Sequence, residues 1–141
     1  MAVRTYNADD VNISFRGNTI TGFGPDTFVK IERNSDSFAL VIGSAGEGAR
    51  SKTNDRSGKV TFTLLQTSPS NDILSASLAE DEQVGTGQGA LLVKDLSGSS
   101  EYEAQNAWVT KYAGAEYGRA VGTREWTLET DRIEMTVGGN S

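Results

Sequence analysis

The segment SKTNDRSGKVTFTLLQTSPSND, Ser51 to Asp72, decides the fold. In its middle, Val60, Phe62 and Leu64 alternate with Lys59, Thr61 and Thr63. Successive side chains of an extended chain point to opposite faces, so this pattern is that of a half-buried strand. The end of the segment changes period. Ser68 can cap a helix, Pro69 suits the first helical position, and Asp72 lies in the first turn, where the helix dipole favours negative charge. Leu74 and Leu78, with Ile73 beside them, form a narrow apolar stripe. The spacing predicts a helix from about Ser68 to Glu82 that packs on a sheet through Leu74 and Leu78.

Alternation continues on both sides of this segment. Val11, Ile13 and Phe15 oppose Asn12, Ser14 and Arg16, and "GNTITGFG" suggests a turn into a short strand. "TFVKIERN" and "SFALVIG" form two further strand runs, and the turn formers "NSDS" between them predict a hairpin. "ALLVKD" is a strand by its apolar run, and Trp108 and Val109 favour strand for "EAQNAWVTKY". In "VGTREWTLETDRIEMTV", Arg124, Trp126 and Leu128 share one face, while Thr123, Glu125, Thr127 and Glu129 share the other. Ile133, Met135 and Val137 then alternate again. The expectation is a mainly β fold: a small β-barrel or sandwich of about eight strands, with one α-helix packed on it and a long inter-strand loop. A chain of 141 residues fits one domain, 1–141.

The long loop is the exception to the alternation. From Gly43 to Gly58 no apolar residue exceeds alanine in size, whereas hairpin loops commonly take about two to five residues. The loop and the residue just after it carry Glu47, Arg50, Lys52, Asp55, Arg56 and Lys59. An arm of both signs can form charge pairs with a copy of itself, which an arm of one sign would repel.

Composition narrows the chemistry. The chain has neither cysteine nor histidine, which removes disulfides, thiolate metal sites, the usual general base and the commonest transition-metal ligand. Net charge is −6 and uneven. The first 70 residues hold eight Lys/Arg against seven Asp/Glu, or +1; the rest hold five against twelve, or −7. Gripping nucleic acid needs clustered Lys and Arg, so the acidic half argues against it. Such a surface serves solubility, or repels another negative body. The opening "MAVRTYNADD" has no apolar stretch of the kind a secretory signal carries, and no run reaches the roughly 18 residues of a membrane span. Folding in the cytoplasm is expected.

Three site motifs fail on inspection. "GSAGEGARSKT" approaches the phosphate-binding pattern G-x-x-x-x-G-K-[ST], but Ser51 stands where the last glycine belongs and a strand follows instead of a helix. The acids Glu80, Asp81 and Glu82 are adjacent at a helix end, as in a solvated face, and no exposed aromatics suggest a sugar platform. "NSDS" and "TNDRSG" offer oxygen atoms without the spacing of a calcium loop. No catalytic, cofactor or metal residues are assigned. Trp108 and Trp126 are expected to anchor the core or an interface. On these features two architectures stay open. One is a ring of identical subunits, stacked through mixed-charge loops around a polar bore. The other is a monomeric β-sandwich binding or decoration module.

"TNDRSGKVTFTLLQTSPSND", followed by "LLVKDLSG" and "GREWTLETD", resembles the tail tube proteins of contractile-tailed bacteriophages. "YNADDVNISFRGNTITGF" and the terminal "VGGN" fit the same family, so the likeness spans nearly the whole chain. The resemblance implies a virion structural protein without enzymatic activity, assembled in the host cytoplasm. It implies hexameric rings stacked into a hollow tube around a tape-measure protein, inside a contractile sheath, with baseplate and tail-terminator proteins at the ends. DNA would pass through without specific binding. Under it, the Gly43–Gly58 loop would bridge rings, and Thr123, Glu125, Thr127 and Glu129 are candidates for the lumen wall.

Overall fold

The computed structural model describes residues 3–139. A short 3-10 turn, Ala8–Asp10, leads into β1 (Val11–Phe15) and β2 (Asn18–Thr19). Then come β3 (Val29–Arg33), β4 (Phe38–Ile42), β5 (Gly48–Lys52) and β6 (Gly58–Leu65). Helix α1 (Ser70–Val84) follows, then β7 (Gly89–Asp95), β8 (Glu101–Lys111), β9 (Thr123–Thr130) and β10 (Glu134–Thr136). Eight strands form one sheet in the order β2-β1-β7-β8-β9-β6-β3, with β10 also paired to β8; β4 and β5 pair only with each other.

The eight-stranded sheet is strongly curled but has no continuous closing ladder. Its two ends meet through one bridge, Phe23 to Leu64, flanked by bonds from Gly24 N–H to the Thr63 carbonyl and from Leu65 N–H to the Gly22 carbonyl. The expected barrel is therefore an open one with a seam. Its interior is lined as the alternation predicts. Val60, Phe62 and Leu64 of β6 are fully buried, and Phe62 lies opposite Trp126 of β9, with Val60 opposite Leu128. Each such side chain contributes about 1.5–3 kcal/mol by leaving water.

The helix begins at Ser70, two residues later than the spacing suggested. Ser68 is diverted. Its hydroxyl donates to the Thr21 carbonyl at 2.5 Å and accepts from the Ser70 N–H, while Thr21 N–H donates to Ser70 Oγ. These bonds pin the helix entry to the chain after β2. Gly22, at φ +76, lies so close to Ser68 that a Cβ would collide with its side chain. Leu74 and Leu78 are buried as expected, and Ile73 is packed partly against the same core. The helix ends on Gly85 in the left-handed conformation, its N–H bonded to the Asp81 carbonyl.

Two expectations fail in the first half of the chain. "TFVKIERN" and "SFALVIG" do not form a hairpin together: β3 pairs with β6, Ile31 opposite Val60, and β4 turns back onto β5. Nor is Gly43–Gly58 one loop, because Gly48–Lys52 is a strand. The physical reason is shared. Val29 and Ile31 reach the core only by joining the main sheet, which leaves β4 to find its hydrogen bonds in the nearest extended segment, the polar "GARSK".

Candidate functional site

The β4–β5 hairpin is an arm without internal cover. All ten of its residues are exposed, including Leu40 at 71% and Ile42 at 59%. The register puts Phe38, Leu40 and Ile42 on one face with Lys52, Arg50 and Gly48 opposite them. Ala39, Val41, Ala49 and Ser51 occupy the other face. The Arg50 guanidinium sits 4.2 Å from the Phe38 ring centre, a cation–π contact that holds both side chains along the arm. The tip is closed by bonds between Gly43 N–H and the Glu47 carbonyl and between Gly46 N–H and the Gly43 carbonyl. An isolated two-stranded hairpin is at best marginally stable in water, and contiguous exposed apolar side chains mark an interaction surface.

A polar clasp fixes the root of the arm. Ser35 Oγ donates to one Asp55 carboxylate oxygen at 2.7 Å, and both Ser57 N–H and Ser57 Oγ donate to the other. Asn34 adds a side-chain bond to Ser57 Oγ, and Thr53 N–H reaches the Ser37 carbonyl. The Ser57 hydroxyl, then Ser35, holds the Asp55 carboxyl down at a pKa of about 2. Behind the clasp, Arg33 donates to the Ile133 carbonyl, and Ile133 N–H donates to the Arg56 carbonyl. The arm is thus anchored to the body of the protein at its root, although among the described residues no strand of the body pairs with it along its length.

The six charged residues expected in a single loop fall in five places. Glu47 is at the arm tip, Arg50 and Lys52 lie on the arm strand, Asp55 is in the clasp, and Lys59 stands on the outer face of β6. Arg56 bridges to Arg132. What the charge pattern missed is the apolar side of the arm. Its signal was the unbroken run FALVI, which does not alternate because neither face is buried in this chain.

Thr123, Glu125, Thr127 and Glu129 do share the outer face of β9, opposite the buried Trp126, Leu128 and Thr130. They belong to a wider polar wall. Glu125 is opposite Thr63, Thr127 opposite Thr61, and Glu129 opposite Lys59, with Glu32 and Lys30 continuing the face on β3. The face is mixed in charge, because the lysines of neighbouring strands interleave with the glutamates of β9. Of the acidic helix end, Glu80 is paired with Arg16 at 2.7 Å, whose hydrogen bond and charge lower its pKa. Among the described residues, no three Asp or Glu side chains converge as metal ligands.

Residues 3–138 match the Bacteriophage PhiTE tail tube protein family. The chain belongs to that family of phage tail tube proteins. This tail tube family member is therefore a virion structural protein of the phage tail tube. It is 30% identical over 124 residues to Structural protein ORF10 of Pseudomonas phage KPP10, an alignment covering 86% of this chain and 72% of that one. Two solved structures of extracellular contractile injection systems share its fold. The sheath/tube terminator of a PVC system in the extended state aligns with TM-score 0.66 at 14% identity, covering 97% of this chain and all of that one. A chain of the PVC sheath-tube complex in the extended state aligns with TM-score 0.62 at 12% identity, covering 94% and 91%. Among the described residues of the tail tube family member, no helix is long and apolar enough to cross a membrane.

Proposed function

We propose that the chain is the repeating subunit of the tail tube, a single tube domain whose copies form hexameric rings that stack into a hollow conduit. The observation that carries this reading is the uncovered β4–β5 arm: a rigidly rooted hairpin with an apolar face is a connector that awaits another subunit. In this reading the arm joins one ring to the next, replacing the flexible loop expected from the charge pattern. The tube is laid down around a tape-measure protein, enclosed by a contractile sheath, and bounded by baseplate and terminator proteins. The genome leaves through the bore without specific binding. The polar β3–β6–β9 face, with Glu125 and Glu129, is assigned to the lumen wall. Threonines and interleaved charges give DNA no apolar surface to stick to and no continuous positive strip to hold it.

Negative-stain microscopy of the purified protein over a wide concentration range, with and without isolated tail baseplates as nuclei, tests the reading. Hollow tubes of uniform width are expected. Dispersed monomers under every condition would sink it in favour of a monomeric decoration module. Single rings that never stack would assign the chain to tube termination, the role borne by one of the similar solved structures.

A further inference from the structure

The open seam of the sheet has the complementary properties of the arm. Where β1 and β3 fail to meet, two adjoining clefts of roughly 380 and 490 Å³ share Ala8, Val11, Gly24 and Phe28 in their walls. Phe23 and Phe28 pack there with ring centres 4.9 Å apart and planes tilted by 42°. Val11, Phe23 and Val29 pack on the core but remain only partly buried, so the core itself is open to the seam. Both margins are strand edges. Among the described residues β3 is laddered on one side only, to β6, and β2 with the residue after it covers β1 from Ile13 to Phe15, leaving Val11 and Asn12 at the margin. Asp9 and Asp26 stand at the rim.

We propose that this seam receives the β4–β5 arm of a second copy, with Phe38, Leu40 and Ile42 entering against Val11, Phe23 and Phe28 while Arg50 and Lys52 face Asp9 and Asp26. This rests on the stacked-tube reading and specifies its contact. Three properties match. The arm presents apolar side chains and cations on one face, and the seam presents an apolar floor with carboxylates beside it. The arm's outer strand edges lack ladder partners, as do the seam's margins, so backbone pairing can extend across the joint. Opposite charges at the rim set orientation and encounter more than affinity.

The occupant is another copy because donor and acceptor lie at opposite ends of the same ladder. β3 runs from Val29 beside the seam to Arg33 at the root of the arm, and β6 returns from Gly58 at the root to Leu64 at the seam bridge. At about 3.3 Å per residue the two sites are over 10 Å apart along the strands. Such an interface is head-to-tail. Each copy that receives an arm still offers its own, so the contact propagates in one direction and does not close a dimer.

The test uses engineered cysteines in the full chain, which has none of its own. Ala8→Cys labels the exposed seam wall, Leu40→Cys the apolar face of the arm, and Ser51→Cys its other face. Tube-forming mixtures of the Ala8→Cys and Leu40→Cys chains are expected to give a disulfide dimer under mild oxidation. Mixtures of Ala8→Cys with Ser51→Cys should lose it, and the chain bearing Ala8→Cys and Leu40→Cys together should give a ladder of covalent oligomers. If tubes form but Leu40→Cys links to Ala8→Cys no better than Ser51→Cys does, the seam assignment is overturned and the tube reading stands. If no assembly forms even on baseplates, the tube reading fails and takes this contact with it. Leu40→Cys pairing only with itself would show a symmetric arm–arm contact, and would also overturn the proposal.

Discussion

The indole N–H of Trp126 donates to Asn71 Oδ1 at 2.9 Å, tying the buried aromatic of β9 to the first turn of the helix. The same Asn71 side chain donates to the Leu65 and Ser68 carbonyls, so one amide joins the end of β6, the helix start and β9. Asn71→Ala is expected to cost about 1–3 kcal/mol, because the buried indole N–H loses its acceptor while the Leu65 and Ser68 carbonyls keep only their backbone donors. The midpoint of urea unfolding measures it. An unchanged midpoint would show that water replaces the amide without loss.

The arm and the core are expected to be energetically separate. Replacing residues 38–52 by a short glycine-serine turn removes the exposed strands and keeps the clasp, and unfolding stability should change by no more than about 1 kcal/mol. Tube formation should be abolished. Tubes of normal length from the shortened chain would show that stacking runs through another surface.

The clasp predicts a titration. Hydrogen bonds from Ser57 and Ser35 lower the Asp55 pKa from 3.8 to about 2. The stabilisation they add is therefore complete above the unfolded value of 3.8 and is lost as pH falls through about 2. Carboxyl carbon shifts of Asp55 should titrate near the lower value, and Ser57→Ala should move the midpoint upward. Hydrogen exchange at the Ser57 amide should quicken over the same interval. A midpoint at the ordinary carboxylate position would mean that the clasp is not formed in solution.

Glu125 and Glu129 carry a prediction about the bore. Changing both to lysine leaves β6, β9 and the core untouched, since both side chains lie on the outer face. It turns the mixed wall into a basic strip alongside Lys30 and Lys59. Assembled tubes of the variant are expected to retain double-stranded DNA at low salt and release it steeply as salt rises, unlike the parent. Fluorescence of labelled DNA co-sedimenting with tubes measures this. Equal retention by both proteins would place the face away from the lumen.

Much of this was legible along the chain because the information is local. The inward Val60, Phe62 and Leu64, the outward Glu125 and Glu129, and the apolar stripe of Leu74 and Leu78 follow from period alone, since the period fixes which side chains share a face. The helix starts two residues later than its signal, at Ser70; Ser68 Oγ accepts from the Ser70 N–H at that start and also donates to the carbonyl of Thr21, a residue distant in sequence. Strand partnership is different in kind. Val29 and Ile31 join β6, and "GARSK" becomes a strand, only because the fold brings those partners within reach. The run FALVI specifies an apolar strand equally well for a core or for an interface. Only the tertiary structure decided that this core forms without it, because Val29 and Ile31 take the place on β6 and leave the FALVI side chains exposed.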